Sequence, residues 1–415
     1  MRPPGSKSIT NRALVCAALA DGTSRLQGAL ASEDTDVMID SLRRLGIVVE
    51  ADVRAHELLV RGCGGQIPSR SAELFVANSG TTVRFLTALA ALGHGTFTLD
   101  GTPRMRERPI GDLLEALGQL GVEARAIAGN QCPPVTIRAS GLAGGTVNMR
   151  GDISSQFLSG LLLAAPYAQS ALTIKLDGPL VSEPYVRMTL EVMRAFGAAV
   201  HHDDLRSFRV APEKKYRART YAVEPDASAA SYFWAAAAIA GGTAVVEGLS
   251  RESLQGDVRF CECLEQMGCQ VEYRAGEIAV TGGPLKGADL DMNDISDTVQ
   301  TVAAVALFAE GATTVREVAH IRHKETDRIG ALATELRKLG AAVVERPDGL
   351  RIEPRPLRGA AIDTYNDHRM AMSLSLVGLR VEGIVINDPD CTTKTYPDFF
   401  SDLEKATGIR TRISE

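Results

Sequence analysis

Two apolar patterns alternate along this chain. The first is a one-sided stripe that stops at a glycine. Over residues 36–46, Met38, Leu42 and Leu45 fall at i, i+4 and i+7 on one helical face, and Gly46 follows where a left-handed cap closes a helix. Ile47-Val48-Val49 then reads as strand. The same shape returns with Leu113, Leu117 and Leu120 before Gly121, with Met193 and Phe196 before Gly197, with Phe260, Leu264 and Met267 before Gly268, and with Leu332, Leu336 and Leu339 before Gly340. A sixth copy before Gly408 keeps only Leu403. The closing glycines recur at intervals of roughly 70 residues, which predicts six α/β units.

The second pattern is a run apolar on nearly all faces, as expected of a helix buried on every side. Such runs follow Lys7-Ser8, Gly80-Thr81-Thr82-Val83-Arg84, Ser154-Ser155-Gln156, Asp226-Ala227-Ser228, Ser296-Asp297-Thr298 and Asn366-Asp367-His368-Arg369. Four of them lead to a turn and a strand, at Gly22-Thr23, Gly95-Thr96, Gly242-Thr243 and Gly311-Ala312. Each buried helix therefore begins with a polar cluster. A cap needs one Ser, Thr, Asp or Asn, and not Lys, Gln, His or Arg as well. Free N–H groups and the positive end of the helix dipole at such starts favour anions. The charged stretch 212–220, flanked by Pro212 and Pro225, is the expected break between the third and fourth units. Two domains of three units follow, with the starts of their buried helices facing a common interdomain cleft.

Composition changes this picture little. The chain has 415 residues, 45% of them hydrophobic and 23% charged, with a formal net charge of −6. That is ordinary for a globular protein and argues against a general nucleic-acid or acidic-membrane surface. Cationic anion sites must then be local. Seven cysteines without a Cys-x-x-Cys imply reduced thiols and a cytoplasmic setting, and Cys261, Cys263 and Cys269 read as packing on an amphipathic helix. Neither a signal peptide nor an apolar run long enough to span a membrane is visible.

Three further stretches carry candidate chemistry. Arg104, Arg106 and Arg108 form a basic loop, readable either as a solvated charge run or as an anion contact. His323-Lys324-Glu325-Thr326-Asp327-Arg328 reads as the opening of the fifth amphipathic helix, which would set Lys324 and Arg328 on one face with Glu325 about 100° round from Lys324. Ion-paired helix start and anion clamp beside a proton-shuttling carboxylate both fit it. Asp297 is either a first-turn acid or a catalytic one. Glu33-Asp34-Thr35-Asp36 reads as a cap. No glycine-rich phosphate loop or dinucleotide fingerprint is present, so Lys, Arg and helix ends are the expected anion holders.

Seven stretches in order resemble the 5-enolpyruvylshikimate-3-phosphate synthase family of enolpyruvyl transferases. They are Pro4-Gly5-Ser6-Lys7-Ser8 with Asn11-Arg12, Asn78-Ser79-Gly80-Thr81 with Arg84, Glu107-Arg108-Pro109-Ile110, Ser154-Ser155-Gln156-Phe157, Lys324-Glu325-Thr326-Asp327-Arg328, Asn366-Asp367-His368-Arg369-Met370-Ala371-Met372 and Lys394-Thr395-Tyr396-Pro397-Asp398. The resemblance implies an α/β fold of two domains, each of three βαβαββ-type units with buried parallel helices, divided as 6–222 and as 1–5 with 223–415. It implies transfer of the enolpyruvyl group of phosphoenolpyruvate to the 5-hydroxyl of shikimate 3-phosphate, by addition and elimination through a tetrahedral ketal, in the shikimate pathway of aromatic amino acid biosynthesis. Neither metal nor organic cofactor is implied, and a monomer is expected.

By the same resemblance, Lys7, Ser8, Arg12, Ser154, Ser155, Gln156 and Ser182 would surround shikimate 3-phosphate, with Tyr185 near its ring and Asp297, His320 and Lys324 completing the set. Lys7, Gly80, Arg108, Gln156, Lys324, Arg328, Arg369 and Lys394 would hold phosphoenolpyruvate. Asp297 would take the hydroxyl proton, Glu325 would deliver and later remove the methyl proton, and Lys7 would assist at the bridging oxygen. Glyphosate, the family's competitor for the phosphoenolpyruvate pocket, is the implied inhibitor. Ala77 and Phe85 stand beside that pocket where Gly and Pro are usual, and His320 stands where Asn is common. Family members usually have about fifteen more residues before the first motif, supplying a strand, so an exposed sheet edge is expected in the second domain. Two other readings stay open. A UDP-N-acetylglucosamine enolpyruvyl transferase normally carries a reactive Cys in the Arg104–Arg108 loop, and the nearest here is Cys132. A non-catalytic anion-binding protein of this fold would not need both Asp297 and Glu325.

Overall fold

The computed structural model describes residues 1–410. The chain forms two compact units, Gly5–Val223 and Met1–Pro4 together with the chain from Glu224 onward, and it passes between them after Pro4 and after Val223.

The first unit holds helices α1 (Lys7–Leu19), α2 (Glu33–Arg44), α3 (Gly80–Ala90), α4 (Gly111–Gln119), α5 (Ser155–Ala164) and α6 (Glu183–Ala195). From Ile9 to Leu19 every residue of α1 is buried, as is all of α3. The stripes on α2, α4 and α6 turn Met38 and Leu42, Leu113 and Leu117, and Val192 and Met193 inward. Three four-stranded sheets share one order. In one, Ser71–Phe75 runs parallel to His94–Asp100, which pairs antiparallel with Val135–Ser140, itself antiparallel to Glu123–Ala126. Gly145–Arg150, Leu172–Asp177, Ser207–Val210 and Val200–Asp203 repeat it. In the remaining sheet the parallel position beside Asp21–Gln27 is filled from the far end of the unit, by Thr220–Ala222. The charged stretch 212–220, expected to be a free break, is thus the lead-in to a closing strand. Tyr216 within it is 2% exposed and donates its hydroxyl to the Leu163 carbonyl at 2.9 Å.

The second unit holds α7 (Ala227–Ala240), α8 (Phe260–Gln266), α9 (Val299–Ala306), α10 (Arg328–Lys338), α11 (His368–Ser375) and α12 (Phe399–Thr407). Here α7, α9 and α11 are the buried helices, and their facing hydroxyls form a chain, Ser231 to Thr301 at 3.2 Å and Thr301 to Ser373 at 3.2 Å. One sheet keeps the four-strand order, with Asp289–Asp291, Thr313–Arg316, Gly349–Glu353 and Ala342–Arg346. A second has three strands, Thr243–Glu247, Glu277–Thr281 and Gln270–Arg274, and the Met1 backbone bonds to the first of them through Val245 and Glu247. The last has only Ala361–Ile362 parallel to Val385–Ile386, in the unit whose apolar stripe was weakest.

All six closing glycines take positive φ, from 71° at Gly408 to 105° at Gly340, the left-handed region where a Cβ is strained.

Candidate active site

In the first unit, Ser6 caps α1 by accepting from the Ile9 N–H, which places Lys7 and Ser8 in the first turn. The Lys7 ammonium lies 3.7 Å from Oδ2 of Asp34, a carboxylate that is almost fully buried. The cap read from residues 33–36 is in fact a Ser32–Thr35 capping box, and Asp34 serves Lys7 instead. Nothing in the sequence separates the two roles, because an acid in a first helical turn is expected from the dipole alone.

Arg12, one turn on, is 2% exposed. Its Nε donates to Thr189 Oγ1 at 2.8 Å, Nη1 to the Ser8 carbonyl at 2.9 Å and Nη2 to the Tyr185 carbonyl at 3.1 Å, with the Phe85 ring 5.2 Å from its Cζ. No carboxylate pairs with it among the described residues. Burial therefore pulls its pKa down, to about 10, which leaves it charged at neutral pH. Thr189 passes a further hydroxyl bond to Ser159 on α5, so Arg12 ties α1, α6 and α5 together. Ser154 caps α5 by accepting from the Gln156 N–H, with Ser155 buried behind it. Ser182 is buried at φ 53°, ψ 48° and makes no side-chain cap to α6.

A second cluster forms at the start of α3. A Cβ on Gly80 would stand 2.4 Å from Arg108 Nη2 and 2.6 Å from Arg84 Nη1, so glycine is what lets two guanidiniums close over this helix start. Arg108 donates to the Asn78 carbonyl at 2.8 Å and to Asn78 Oδ1 at 3.1 Å. Arg84 donates to Gln156 Oε1 at 2.9 Å and to the Pro109 carbonyl at 2.9 Å, while Gln156 Nε2 donates to Thr81 at 3.3 Å. Gly80, Arg108 and Gln156 are thus gathered around Arg84, which the motif contains but to which no role was assigned. Arg104 and Arg106 instead pair at the surface with Glu107 and Asp100, so that part of the loop is a solvated charge run.

The second unit gathers Asp297, Lys324, Glu325, Arg328 and Arg369, and it corrects the helix expected over 323–328. Ala319–His323 is a 3₁₀ turn, Lys324 is extended at φ −84°, ψ −151°, and α10 begins only at Arg328, capped by Asp327. Lys324 and Arg328 therefore do not share a helical face. The Asp327 side chain accepts from the N–H groups of Ile329 and Gly330 at 3.1 Å, and that cap ends the approach segment one turn later than the apolar spacing suggested. Asp297 likewise sits in a 3₁₀ segment, Asn293–Thr298, ahead of α9.

Arg328 is 1% exposed and is the hub. Its Nε and Nη2 donate to the two oxygens of Asp367 at 2.7 and 3.2 Å, Nη2 also to Glu325 Oε2 at 2.8 Å, and Nη1 to Asp297 Oδ1 at 3.1 Å. Burial alone would lower its pKa, but Asp367, Glu325 and Asp297 together raise it above the ordinary arginine value. Arg369 donates to Asp297 Oδ2 at 2.7 Å, and the Lys324 ammonium lies 3.8 Å from Asp297 Oδ1. Asp367, the cap of α11, is fully buried and also accepts from the Arg369 N–H at 2.9 Å. Like Asp34, it reads as a cap in the sequence and proves to be the anchor of a buried cation. His320, 7% exposed, is driven to about 3 by burial and then by Lys324, so it is neutral at physiological pH. Lys394 is buried at the end of Pro389–Lys394, a segment packed on α11.

Among the described residues no three His, Cys, Asp or Glu side chains are grouped to hold a metal ion. Cys261, Cys263 and Cys269 are buried, and burial raises all three thiols, as packing residues require. No described helix is long and apolar enough to cross a membrane. Chemically, the first unit offers cations at helix starts, and the second places two carboxylates on one guanidinium.

The family profile for EPSP synthase (3-phosphoshikimate 1-carboxyvinyltransferase) matches residues 1–403. A 3-phosphoshikimate 1-carboxyvinyltransferase of Nostoc punctiforme is 50% identical over 96% of this chain and 94% of its own length. One of Arabidopsis thaliana, named as chloroplastic, is 48% identical over 97% of this chain and 81% of its own. The EPSP synthase of Acinetobacter baumannii superposes with a TM-score of 0.81 at 27% identity, over 98% of this chain and 95% of that one. The enolpyruvyl transferase NikO from Streptomyces tendae shares the fold, with a TM-score of 0.79 at 21% identity over 99% and 95% of the two chains. A profile spanning nearly the whole chain, and relatives at about half identity over their full length, place the clusters of Lys7, Arg12, Gly80, Asp297 and Arg328 in a known context: the chain belongs to the EPSP synthase (3-phosphoshikimate 1-carboxyvinyltransferase) family.

Proposed function

We infer that this chain transfers the enolpyruvyl group of phosphoenolpyruvate to the 5-hydroxyl of shikimate 3-phosphate with release of phosphate. Both substrates are anions, so cations must offset their repulsion before the reacting atoms meet. Arg12, buried and without a carboxylate partner among the described residues, suits the shikimate 3-phosphate side with Lys7, Ser8, Ser154, Ser155, Gln156 and Ser182. The guanidiniums around Gly80, with Lys324, Arg369 and Lys394, suit phosphoenolpyruvate. Protonating the enol carbon while deprotonating an alcohol needs two separate acid–base groups. The observation that carries this reading is the single buried guanidinium of Arg328 joined to both Asp297 and Glu325. Those two residues come from separate loop segments rather than from two helices, and they occupy different N–H groups, so each keeps its own proton.

Cys132 counts against the UDP-N-acetylglucosamine reading, since it is 9% exposed and burial raises its thiol. The test is phosphate release from phosphoenolpyruvate with shikimate 3-phosphate and, in parallel, with UDP-N-acetylglucosamine. Release with the first alone is the expected result, and no release with shikimate 3-phosphate refutes the reading.

A further inference from the structure

The acid–base cluster of the second unit interleaves three carboxylates, Asp297, Glu325 and Asp367, with three cations, Lys324, Arg328 and Arg369. Its charges balance before any substrate arrives. Arg328 has five N–H groups, and four of its hydrogen bonds already go to protein carboxylates. An incoming carboxylate or phosphate that uses Arg328 must therefore compete with one of them. Asp367 is the least able to yield. It is fully buried, grips Arg328 through both oxygens, and also caps α11. Asp297 is held twice, by Arg328 and by Arg369. Glu325 is the one carboxylate of the three whose bond to Arg328 is a single contact, through Oε2.

We propose that the substrate anion loads Glu325 with its catalytic proton: the anion takes the Arg328 N–H that Glu325 occupies, and the released, still buried carboxylate takes up one proton from solvent. The proposal rests on the assignment of phosphoenolpyruvate to this cluster. Adding an anion to a balanced buried cluster leaves excess negative charge, which a proton from water neutralises at the carboxylate that has just lost its cation. Every charged neighbour is consistent with that site. Arg328 and Lys324 lie on Glu325's own segment, Asp297 precedes α9, and Asp367 and Arg369 open α11; His320 is neutral, and Tyr232 on α7 faces Arg369 rather than Glu325. Asp367 then acts as a positioning residue, holding Arg328 in place while Glu325 leaves it. The proton so gained is the one delivered to the methylene carbon of phosphoenolpyruvate, and its return to Glu325 in the elimination step balances the cycle.

The experiment is calorimetric titration of phosphoenolpyruvate into the full chain saturated with 5-deoxyshikimate 3-phosphate, which lacks the attacking hydroxyl. Work at pH 8, where the phosphate of phosphoenolpyruvate is already fully ionised, keeps the ligand's own titration out of the count. The observed heat is compared across buffers of different ionisation enthalpy, whose slope counts protons. Wild type is expected to take up about one proton per anion bound. Glu325→Gln is expected to bind with a Kd within a few-fold of wild type and take up close to none. Binding without uptake in wild type overturns the proposal, and so does uptake that persists in Glu325→Gln. No binding of phosphoenolpyruvate at all refutes the underlying assignment instead. Asp367→Asn supplies an independent readout: loosening of Arg328 should raise the KM for phosphoenolpyruvate at least tenfold with the shikimate 3-phosphate KM unchanged, and an unchanged phosphoenolpyruvate KM removes the positioning role.

Discussion

Arg12 and Arg328 are both at least 98% buried, yet their surroundings are opposite. Three carboxylates outweigh burial at Arg328 and raise its pKa, whereas burial dominates at Arg12 and lowers it to about 10. A desolvated cation with only hydroxyl and carbonyl partners gains most from an arriving anion, since its Coulomb attraction is not already spent. Arg12→Gln is therefore expected to raise the KM for shikimate 3-phosphate roughly 10- to 100-fold, the range of one or two charge-assisted hydrogen bonds, with little change in the KM for phosphoenolpyruvate. Steady-state kinetics with each substrate varied in turn would settle it, and an equal rise in both values would contradict the assignment. At this scale the sequence is informative where a residue lacks a packing reason. Lys7 and Arg12 at the head of an apolar helix, and Gln156 after two serines, are conspicuous because neither capping nor burial calls for them. Asp34 and Asp367 are silent for the converse reason: a helix start accounts for an acid there, so the buried cation it actually holds cannot be inferred from its position alone.

Whole elements were legible wherever one face of a helix had to be apolar. Six stripes ending in glycine became α2, α4, α6, α8, α10 and α12, and the six wholly apolar runs became the helices between them. What failed was a boundary. Residues 323–327 are polar and helix-compatible, but Asp327 captures the first N–H groups of α10, and the preceding segment is left free to present Lys324 and Glu325 from an irregular backbone. That irregularity allows Glu325 to reach back to Arg328 three residues on while Lys324 turns to Asp297. The closing glycines give a graded test of helix termination. Gly121 has φ 80° and open space around a would-be Cβ, so Gly121→Ala should cost only the left-handed backbone strain, about 1 kcal/mol. Gly46 has φ 86°, and its Cβ would lie 2.8 Å from that of Pro68, so Gly46→Ala adds a collision and should cost clearly more. Urea midpoints of the two variants against wild type measure this, and equal shifts would show that the Pro68 contact relaxes freely.

At the level of the whole chain, the repeat count was readable but the closure of the first unit was not. Its parallel edge strand is Thr220–Ala222, three residues whose composition carries no strand period, lying at the end of a charged stretch that looks like a linker. The pairing Arg25 with Thr220, Leu26 with Tyr221 and Gln27 with Ala222 nonetheless completes the first sheet with the last residues of the unit. Tyr216 supports it from below, packed edge-on against Phe196 and bonded to the Leu163 carbonyl. All three sheets of the segment Gly5–Val223 are completed by strands from within that segment. Such a segment has its own core and no sheet edge that the rest of the chain must cover, which are the conditions for independent folding. Residues 5–223 produced alone are expected to unfold cooperatively in urea. If Arg12, Ser154 and Ser182 serve as proposed, shikimate 3-phosphate should raise the midpoint by mass action, while the fragment releases no phosphate because Asp297 and Glu325 lie elsewhere. A matched fragment ending at residue 219 loses the strand beside Asp21–Gln27 and should be less stable and more prone to associate through that edge. Equal stability of the two fragments would show that the closing strand is dispensable, and a broad, non-cooperative transition in both would show that this half depends on the remainder of the chain to fold.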